Sequence, residues 1–352
     1  MVRQQVLDTI KLILSYLPQR FQYPPVYWKF KKLIFESDKW DKDQIENWQY
    51  QQLSLIIKYA YENVPGYHEL YKLNNIKPED LQTLADIKNF PFVSKELLRD
   101  NLKDFTSRKI SGLKLKYLTT GGSTGIPFGF YTTIRNYYIE NAFMHSSWEN
   151  AGWKMNEMSA ILRGSFIGND QLLYKYVKFD NSLFLSNYYL TSETYHRYKE
   201  IYQKFKPKFL QAYPSAVTIL SKLIIENNDN GIWNFELLLL GSENLYSWQR
   251  EIIKTAFPNS NIMTWYGHAE KVIFAPKCIK SDLLHLSPIY GFTEILNANN
   301  VEINIGENGE LVGSSFWDLA TPFIRYKTKD IALKSEQVCE FCGRHHQSLK
   351  QI

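Results

Sequence analysis

Between Leu115 and Gly267 short apolar runs alternate with longer amphipathic stretches, and this alternation restricts the fold more than any other feature. The short runs include "KYLTT", "EMSAIL", "PKFLQAY", "FELLLL" and "NIMTWYG". Strands that alternate with helices are typical of parallel α/β sheets, because each helix carries the chain to the start of the next strand. After Phe274 strand-like runs follow one another, among them "VEINI" and "GELVGSSF", with "GENGE" as a hairpin turn between two of them. We therefore predict an α/β fold of layered sheets with a small β-rich subdomain.

The sequence before this alternation is predicted to be helical. Three segments are expected: helices over 1–105, an α/β core over 106–275 and the β-rich subdomain over 276–352. Ser94 is placed to cap the helix predicted in "SKELLRDNL". The N-terminal "MVRQQVLDTIKLILSYLPQRFQ" has apolar residues at helical spacing, but it is too short and too polar to span a bilayer. It is interpreted as a surface helix, with a helix lying on a membrane face as the alternative, so membrane contact is at most peripheral.

The composition excludes some classes of function. The net charge of the 352 residues is +5 and no long Lys/Arg run occurs, so nucleic-acid binding is not indicated, although a mild positive field favours anionic substrates. Aromatic residues make up 15% of the chain, which suits a large core or pockets for flat ligands. Three cysteines without a signal peptide are typical of a reducing compartment, here taken as the cytoplasm.

The stretch "TTGGSTGIP" is rich in glycine and hydroxyl groups. Its glycines allow backbone N–H groups to converge on an anion, and its hydroxyls add donors, a combination that suits a polyphosphate. The candidate residues are Thr119, Thr120, Gly121, Gly122, Ser123, Thr124 and Gly125. The stretch lacks the P-loop lysine and the G-x-G-x-x-G pattern. A glycine-rich hairpin that binds nothing is the alternative interpretation.

Two later stretches carry further candidates. In "MTWYGHAEK" a strand-like run ends with Tyr266, which could stack on a base, and Glu270, which could hold Mg²⁺ beside a phosphate. In "TPFIRYKTKDIA" Asp330 could accept hydrogen bonds from a ribose diol. Taken singly, the first stretch is better explained by a strand end with a satisfied histidine, and the second by a solvated turn aspartate.

In this order, the three stretches resemble motifs of the adenylate-forming (ANL) superfamily, in its phenylacetate-CoA ligase and CapK-like branch. "TTGGSTGIP" is similar to the phosphate loop, "WYGHAE" to the Tyr-Gly-x-x-Glu motif and "RYKTKD" to the Tyr-Arg-Thr-Gly-Asp motif. The flanking "VPGYHELY", "FPFVSKELLRDN" and "LLLLGSENL" resemble connecting segments of that branch. The resemblance therefore covers nearly the whole chain from about Tyr59.

The resemblance implies that ATP and a carboxylic acid give an acyl-adenylate and pyrophosphate, often before transfer to a thiol such as CoA. Matching positions assign residues to each part of ATP or AMP. The phosphates would be bound by Thr120, Ser123, Thr124 and Gly125, and the adenine would be bordered by Ser242, Glu243 and Tyr266. Glu270 would bind Mg²⁺, and Asp330 would bind the ribose hydroxyls. The acid pocket would include Tyr213, Pro214, Gly241 and His268. His268 and Glu270 are the predicted catalytic residues; a merely structural His268 is the alternative.

The chain departs from the branch pattern at several positions. Ala269 stands where Thr or Ser is frequent, Lys327 replaces an Arg, and Lys329 replaces the Gly before Asp330. Members of the superfamily continue into a C-terminal lid domain of ~100 residues, a usual domain size, with a lysine that reaches the α-phosphate and the acid. This chain ends at "QSLKQI", so the lid is expected to be absent. We therefore expect nucleotide binding with slow adenylation, because closure excludes water from such sites.

A possible metal site lies near the C-terminus. "CEFC" forms a C-x-x-C knuckle suited to tetrahedral Zn²⁺. The predicted ligands are Cys278, His285, Cys339 and Cys342, with His345 or His346 as alternatives to His285. Four protein ligands would make the site structural, and three unrelated thiols are the alternative interpretation.

The predicted function is ATP-dependent adenylation of a carboxylic acid by a CapK-like ligase, in surface or capsular polysaccharide biosynthesis. The acceptor could be CoA, a carrier protein or a sugar amine, and the aromatic-rich composition permits an aromatic acid. Adenylyl transfer to a cofactor hydroxyl is a second hypothesis. A nucleotide-binding or scaffold module with impaired catalysis is a third.

Overall fold

The computed structural model describes residues 15–120, 128–164, 172–335 and 338–352. The helices in these ranges are α1 Gln19–Gln22, α2 Pro25–Ser37, α3 Lys42–Asn63, α4 Pro65–Leu73, α5 Lys95–Asp100, α6 Ile134–Asn150, α7 Tyr195–Phe205, α8 Pro214–Glu226 and α9 Ser247–Ala256. Among these helices, none is long and apolar enough to cross a bilayer. Most of the predicted N-terminal helix lies outside the described residues.

The strands complete an α/β architecture, so the predicted fold class is confirmed. They are β1 Leu115–Thr119, β2 Gly129–Thr133, β3 Ser159–Leu162, β4 Tyr174–Val177, β5 Ser182–Leu185, β6 Phe209–Ala212, β7 Leu237–Leu240, β8 Asn261–Gly267, β9 Phe274–Pro276, β10 Leu284–His285, β11 Gly291–Leu296, β12 Asn308–Ser315, β13 Tyr326–Lys334 and β14 Ser348–Gln351.

The chain divides into two compact units, each made of two separate stretches. Met1–Pro25 and Met144–Trp265 form the first unit, and Val26–Phe143 and Tyr266–Ile352 form the second. The predicted segments 1–105, 106–275 and 276–352 are continuous instead, and their boundaries stay a prediction.

The first unit is built on a mainly parallel sheet in the order β4-β5-β3-β6-β7-β8. Strand β7 is buried along its whole length, which explains its sequence of four leucines, because helices cover both faces of such sheets. The β4 strand is antiparallel to β5 and lies at the end of the order. The carboxyl ends of β3, β6 and β7 meet at one edge, where ligands bind in open α/β sheets.

The second unit contains an antiparallel sheet in the order β10-β14-β13-β12-β11 and the β1–β2 hairpin. Its core is rich in aromatic side chains, and Tyr67 links two parts of it, because its Oη donates to Pro322 O and accepts from Ile324 N, both at 2.9 Å. Ser94 accepts a hydrogen bond from Leu97 N at 3.2 Å, so the predicted helix cap is confirmed.

One predicted strand is wrong. The run "VEINI" forms only an isolated bridge between Glu302 and Leu296. Ile303 is buried, but Val301 and Ile305 are exposed, so the alternation of the sequence does not give one buried face. The following turn has Gly306 in the left-handed region at φ 88°, where glycine is favoured.

Candidate functional site

The β1–β2 hairpin forms the stem of the predicted phosphate loop. Thr119 pairs with Gly129, and Thr120 N donates to Phe128 O at 2.8 Å. The amide of Thr120 is therefore used by the hairpin, whereas its buried Oγ1 has no hydrogen-bond partner among the described residues. The remaining candidates of this loop lie outside those residues; they are Gly121, Gly122, Ser123, Thr124 and Gly125.

The structure brings together the predicted base-contacting and ribose-binding residues. Tyr266, near the end of β8, donates a hydrogen bond from its Oη to Asp330 Oδ2 in β13 at 2.7 Å. Burial, together with the Asp330 carboxylate, raises the pKa of Tyr266 far above its usual value. The phenol therefore remains a hydrogen-bond donor, and it fixes one oxygen of a carboxylate whose other oxygen has no such donor in the described structure.

The turn after β8 holds Glu270 between two side chains. Glu270 Oε1 accepts a hydrogen bond from Tyr326 Oη at 3.0 Å, and its Oε2 lies 3.3 Å from His268 Nδ1. Burial acts to raise the pKa of Glu270, but His268, the turn backbone and Tyr326 outweigh burial and lower it. A buried carboxylate kept ionised in this way is suited to bind a cation.

The His268 side chain is 15% exposed in this turn, and its two buried ring nitrogens have unused hydrogen-bonding capacity. Its ring lies 5.9 Å from the Tyr266 ring and 6.5 Å from the Tyr326 ring, between centroids. The Nδ1 approach to Glu270 lacks the alignment of a hydrogen bond, and neither ring nitrogen has a hydrogen-bond partner in the part of the chain described. Buried polar atoms are nearly always paired, so this ring is available to a ligand.

Lys329 occupies a backbone position that favours glycine. Its φ is 67°, in the left-handed region, at the position where the resemblance implied a Gly. Its Nζ donates to Glu96 Oε1 at 2.6 Å, and its N donates to Glu310 Oε1 at 3.1 Å. The hydrogen bond from Lys329 is the main cause that lowers the pKa of Glu96 to about 2.

Arg325 anchors the start of β13 and was not singled out from the sequence. Its buried guanidinium donates to both carboxylate oxygens of Glu294, at 2.9 and 2.7 Å, and to the carbonyl oxygens of Lys88 and Phe90. Burial outweighs this pairing and raises the pKa of Glu294. The signal that could have found the pair is the lone Glu inside the apolar run "GFTEIL".

In the first unit, polar residues meet at the carboxyl ends of the parallel strands. Arg163, which follows β3, donates from Nη2 to Ser242 Oγ at 2.9 Å and lies with its Cζ 5.4 Å from the Tyr213 ring centroid. Burial lowers the pKa of Arg163. Arg163 was not predicted from the sequence, although a charged residue directly after a buried strand at this edge is a usable signal.

The other candidates of the first unit have structural contacts of their own. Glu243 accepts hydrogen bonds from the N and Oγ of Ser215, both at 2.9 Å, so its carboxylate caps the start of α8. Pro214 is the first residue of that helix, a position that favours proline. A Cβ added at Gly241 would lie 2.4 Å from the Trp265 ring, so the close approach of that ring requires glycine. The predicted contacts of these residues with adenine or acid stay predictions.

The four predicted zinc ligands cluster in the second unit. The ligand atoms of Cys278, His285, Cys339 and Cys342 all lie within 4.8 Å of one another. Cys342 Sγ lies 3.5 Å from His285 Nε2, which matches the roughly 3.5 Å expected between sulfur and nitrogen ligands of a tetrahedral zinc. Lys280 N donates a hydrogen bond to Cys278 Sγ at 3.4 Å, a contact that would orient this sulfur if it were a metal ligand.

The two alternative histidines are not part of this cluster. His346 Nε2 lies 3.4 Å from Ser37 O, and His345 is outside the group. Arg344, between the knuckle and these histidines, donates to Asp38 Oδ2 at 2.5 Å and ties the knuckle to the chain just after α2.

Comparisons with known proteins agree on one group of enzymes. No family model matches the chain. The chain is 25% identical over 320 residues to "Protein CapK" of Staphylococcus aureus, covering 90% of this chain and 68% of that protein. It is 26% identical over 302 residues to phenylacetate-coenzyme A ligase of Aromatoleum evansii, covering 84% and 67%.

Solved structures show the same fold. A structure of 2-hydroxyisobutyryl-CoA ligase in the postadenylation state, with R3-HIB-AMP, has a TM-score of 0.74 at 17% identity and covers 90% of this chain and 68% of that one. An open conformation of the same ligase has a TM-score of 0.71. At this identity the likeness is one of fold.

Proposed function

From the chain's membership of the adenylate-forming enzymes, in the branch of the phenylacetate-CoA ligases and CapK, we propose that it activates a carboxylic acid with ATP. A carboxylate oxygen attacks the α-phosphorus, the bond from that phosphorus to the bridging oxygen breaks, and pyrophosphate leaves with the electron pair. The product is an acyl-adenylate. This displacement needs positioning and charge neutralisation rather than a protein nucleophile.

The observation that carries this proposal is the largely enclosed His268 ring beside Tyr266: its Nε2 has no hydrogen-bond partner among the described residues, and its Nδ1 lies 3.3 Å from Glu270 Oε2 without forming a hydrogen bond. An acid whose carboxylate accepts a hydrogen bond from the ring would supply the missing partner. His268 would then hold the acid in place for attack on the α-phosphorus. A purely structural histidine would be expected to have its nitrogens paired within the protein.

The nucleotide is proposed to use the neighbouring groups. The second oxygen of Asp330 would accept hydrogen bonds from the ribose hydroxyls, since Tyr266 already holds the first. Glu270 would hold Mg²⁺, which would neutralise phosphate charge. Thr120 Oγ1 would donate to a phosphate together with the glycine-rich loop. Contacts of Ser242 and Glu243 with the adenine are predictions from the resemblance.

We also propose that the Cys/His cluster of the second unit holds a structural Zn²⁺. Three sulfurs and one imidazole nitrogen are a frequent zinc set, and four protein ligands leave no open position for catalysis. Without a metal ion, these four ligand atoms would lie close together with no cation to bind them. The metal would fix the knuckle and, through Arg344, its contact with Asp38.

The acceptor and biological role are proposed from the relatives. CoA is the first candidate, since two of the named relatives are CoA ligases. An amine or a carrier protein as the acceptor, and a role in surface polysaccharide biosynthesis in the cytoplasm, are proposed from the motif resemblance to the CapK-like branch. If an alcohol replaces the acid as the co-substrate, the product is an AMP ester of a cofactor hydroxyl instead.

A pyrophosphate-release screen tests the proposal. Wild-type chain, the His268→Gln variant and the Asp330→Asn variant are assayed with Mg–ATP and a panel of aromatic and aliphatic acids and alcohols. We expect acid-dependent release that falls at least tenfold in both variants, while the exposed-site control His196→Gln is unchanged. Release that depends on an alcohol would identify adenylyl transfer to a hydroxyl. Acid-dependent release that is equal in wild type and in both variants would reject the assigned roles.

A further inference from the structure

We propose that the first unit carries a surface that docks on an anionic lipid bilayer. This aromatic–basic face consists of three aromatic and three cationic side chains; they are Tyr16, Phe21, Tyr176, Arg20, Lys178 and Lys204. It involves none of the residues assigned to the nucleotide or the acid, so it stands independently of the proposed reaction.

The aromatic side chains of the face are strongly exposed to water. Tyr16 is 70% exposed, Phe21 55% and Tyr176 40%. Clustered apolar exposure of this kind marks interaction sites. Tyrosine suits the boundary between water and lipid because its ring is apolar and its hydroxyl is polar, and phenylalanine is frequent on the apolar face of segments that lie at this boundary.

The cations lie against these rings rather than against carboxylates. Lys178 Nζ lies 3.8 Å from the Tyr16 ring centroid, and Arg20 Cζ lies 4.7 Å from that of Phe21. Lys204 Nζ lies 5.3 Å from the Phe205 ring, which stacks on Tyr176. No ion pair involving these three cations occurs among the residues that the structure describes. The Tyr16 and Phe21 rings therefore each have an unneutralised positive charge beside them, and Tyr176 is joined to Lys204 through the Phe205 ring.

The position of the face fits docking on a flat surface. Tyr176 lies in β4, the outermost strand of the sheet, and Lys178 directly follows this strand. Tyr16, Arg20 and Phe21 belong to the segment around the short helix α1. The contact between Tyr16 and Lys178 joins the two parts into one continuous face.

The charge pattern selects an anionic bilayer over a second copy of the chain. A symmetric pairing of this face would bring like charges together, which opposes self-association. An anionic lipid surface attracts every cation of the face, and each Lys or Arg near the surface raises the binding constant about fivefold. Its headgroup region also accepts the aromatic rings.

Vesicle co-sedimentation of the full chain tests this proposal. Vesicles of phosphatidylcholine alone are compared with vesicles containing about one third phosphatidylglycerol, at low and high salt. We expect binding to the anionic vesicles only, and a steep loss at high salt because the Debye length shortens. A double variant Arg20→Glu/Lys178→Glu should lose at least tenfold in binding, and Tyr16→Ser/Phe21→Ser at least fivefold.

The matched control is Phe35→Ser in the second unit. Phe35 is 64% exposed and has Lys39 Nζ 4.3 Å from its ring centroid. It is therefore an exposed aromatic ring with a cation beside it, as in the aromatic–basic face, but it lies outside that face. We expect this variant to bind as wild type does, with all variants keeping the wild-type circular dichroism spectrum. Equal binding to neutral and anionic vesicles, or no effect of either double variant, would overturn the proposal. The proposal would also be overturned if the wild-type chain formed a dimer that the two double variants dissociate, and if it did not bind vesicles.

Discussion

Tyr266 and Asp330 are 64 residues apart in sequence, yet the Tyr266 hydroxyl donates a 2.7 Å hydrogen bond to the Asp330 carboxylate. The hydrogen bond therefore joins two motifs that are far apart in the sequence. Because burial and the carboxylate raise the pKa of Tyr266, the phenol keeps its proton over the usual pH range. Asp330 is therefore oriented by a permanent donor and presents its remaining acceptor capacity to a ligand.

Tyr266→Phe removes this orienting donor while the ring remains. A hydrogen bond to a charged group contributes about 1.5–3 kcal/mol, so we expect the Kd for Mg–ATP to rise roughly tenfold or more. Isothermal titration calorimetry measures the change. Tyr188→Phe, at a tyrosine that is strongly exposed, is the control and should bind as wild type does. Unchanged affinity in Tyr266→Phe would show that Asp330 does not depend on the phenol.

Lys329 is expected to be strained. Replacement by Gly relieves the strain of the left-handed backbone, whereas replacement by Ala keeps that strain. Both replacements remove the exposed Lys329–Glu96 ion pair, so its loss cancels in the comparison. A left-handed residue costs about 1–2 kcal/mol, and the extra entropy of unfolded Gly offsets part of this gain. We expect Lys329→Gly to be more stable than Lys329→Ala by roughly 1 kcal/mol in urea unfolding. The opposite order would show that the strain is absent.

The Glu96 carboxylate gives a pH-dependent prediction. Its folded-state pKa is lowered to about 2, chiefly by the hydrogen bond from Lys329, while an unfolded glutamate titrates near 4.3. The unfolded state therefore binds more protons between these values, so this contribution is present above about pH 4.3 and is lost as the pH falls toward 2. In urea unfolding, the stability gap between wild type and Glu96→Gln should narrow from pH 6 to pH 3. A gap that widens on acidification would contradict the pairing.

Several features were predictable because they depend on local sequence. The alternation of strands and helices, the Ser94 cap and the C-x-x-C knuckle all lie within a few neighbouring residues. The resemblance placed Tyr266 at the adenine and Asp330 at the ribose, but nothing in either stretch predicts the hydrogen bond between the two side chains.

Features that depend on sheet order were missed. Arg163 meets Ser242 because β3, β6 and β7 are neighbours in the sheet, an order that the sequence does not state. The contact of Glu243 with the adenine stays a prediction, but the capping role of its carboxylate, on a helix that begins 29 residues earlier at Pro214, was not predicted. The strand predicted at "VEINI" failed because exposure of Val301 and Ile305 is decided by tertiary packing.

Metal removal tests the Cys/His cluster. We expect the purified chain to contain one zinc per molecule by elemental analysis and Cys342→Ser to contain none. Because binding free energy at a structural zinc site adds to folding free energy, the Tm should fall by more than about 5 °C in that variant or after chelation. His345→Ala, which changes a neighbour outside the group, should keep the metal. Metal-free protein with an unaltered Tm would show that the thiols are unrelated.

The most direct test of the central account is a calorimetric titration of the chain with Mg–ATP and with a non-hydrolysable acyl-sulfamoyl adenosine. The account predicts that both bind, that the acyl-adenylate mimic binds more tightly, and that Asp330→Ala weakens both. It also predicts that His268→Ala weakens the mimic far more than ATP. Absence of heat with both ligands, or equal affinity of all variants for both, would contradict the assignment of this site to acid activation.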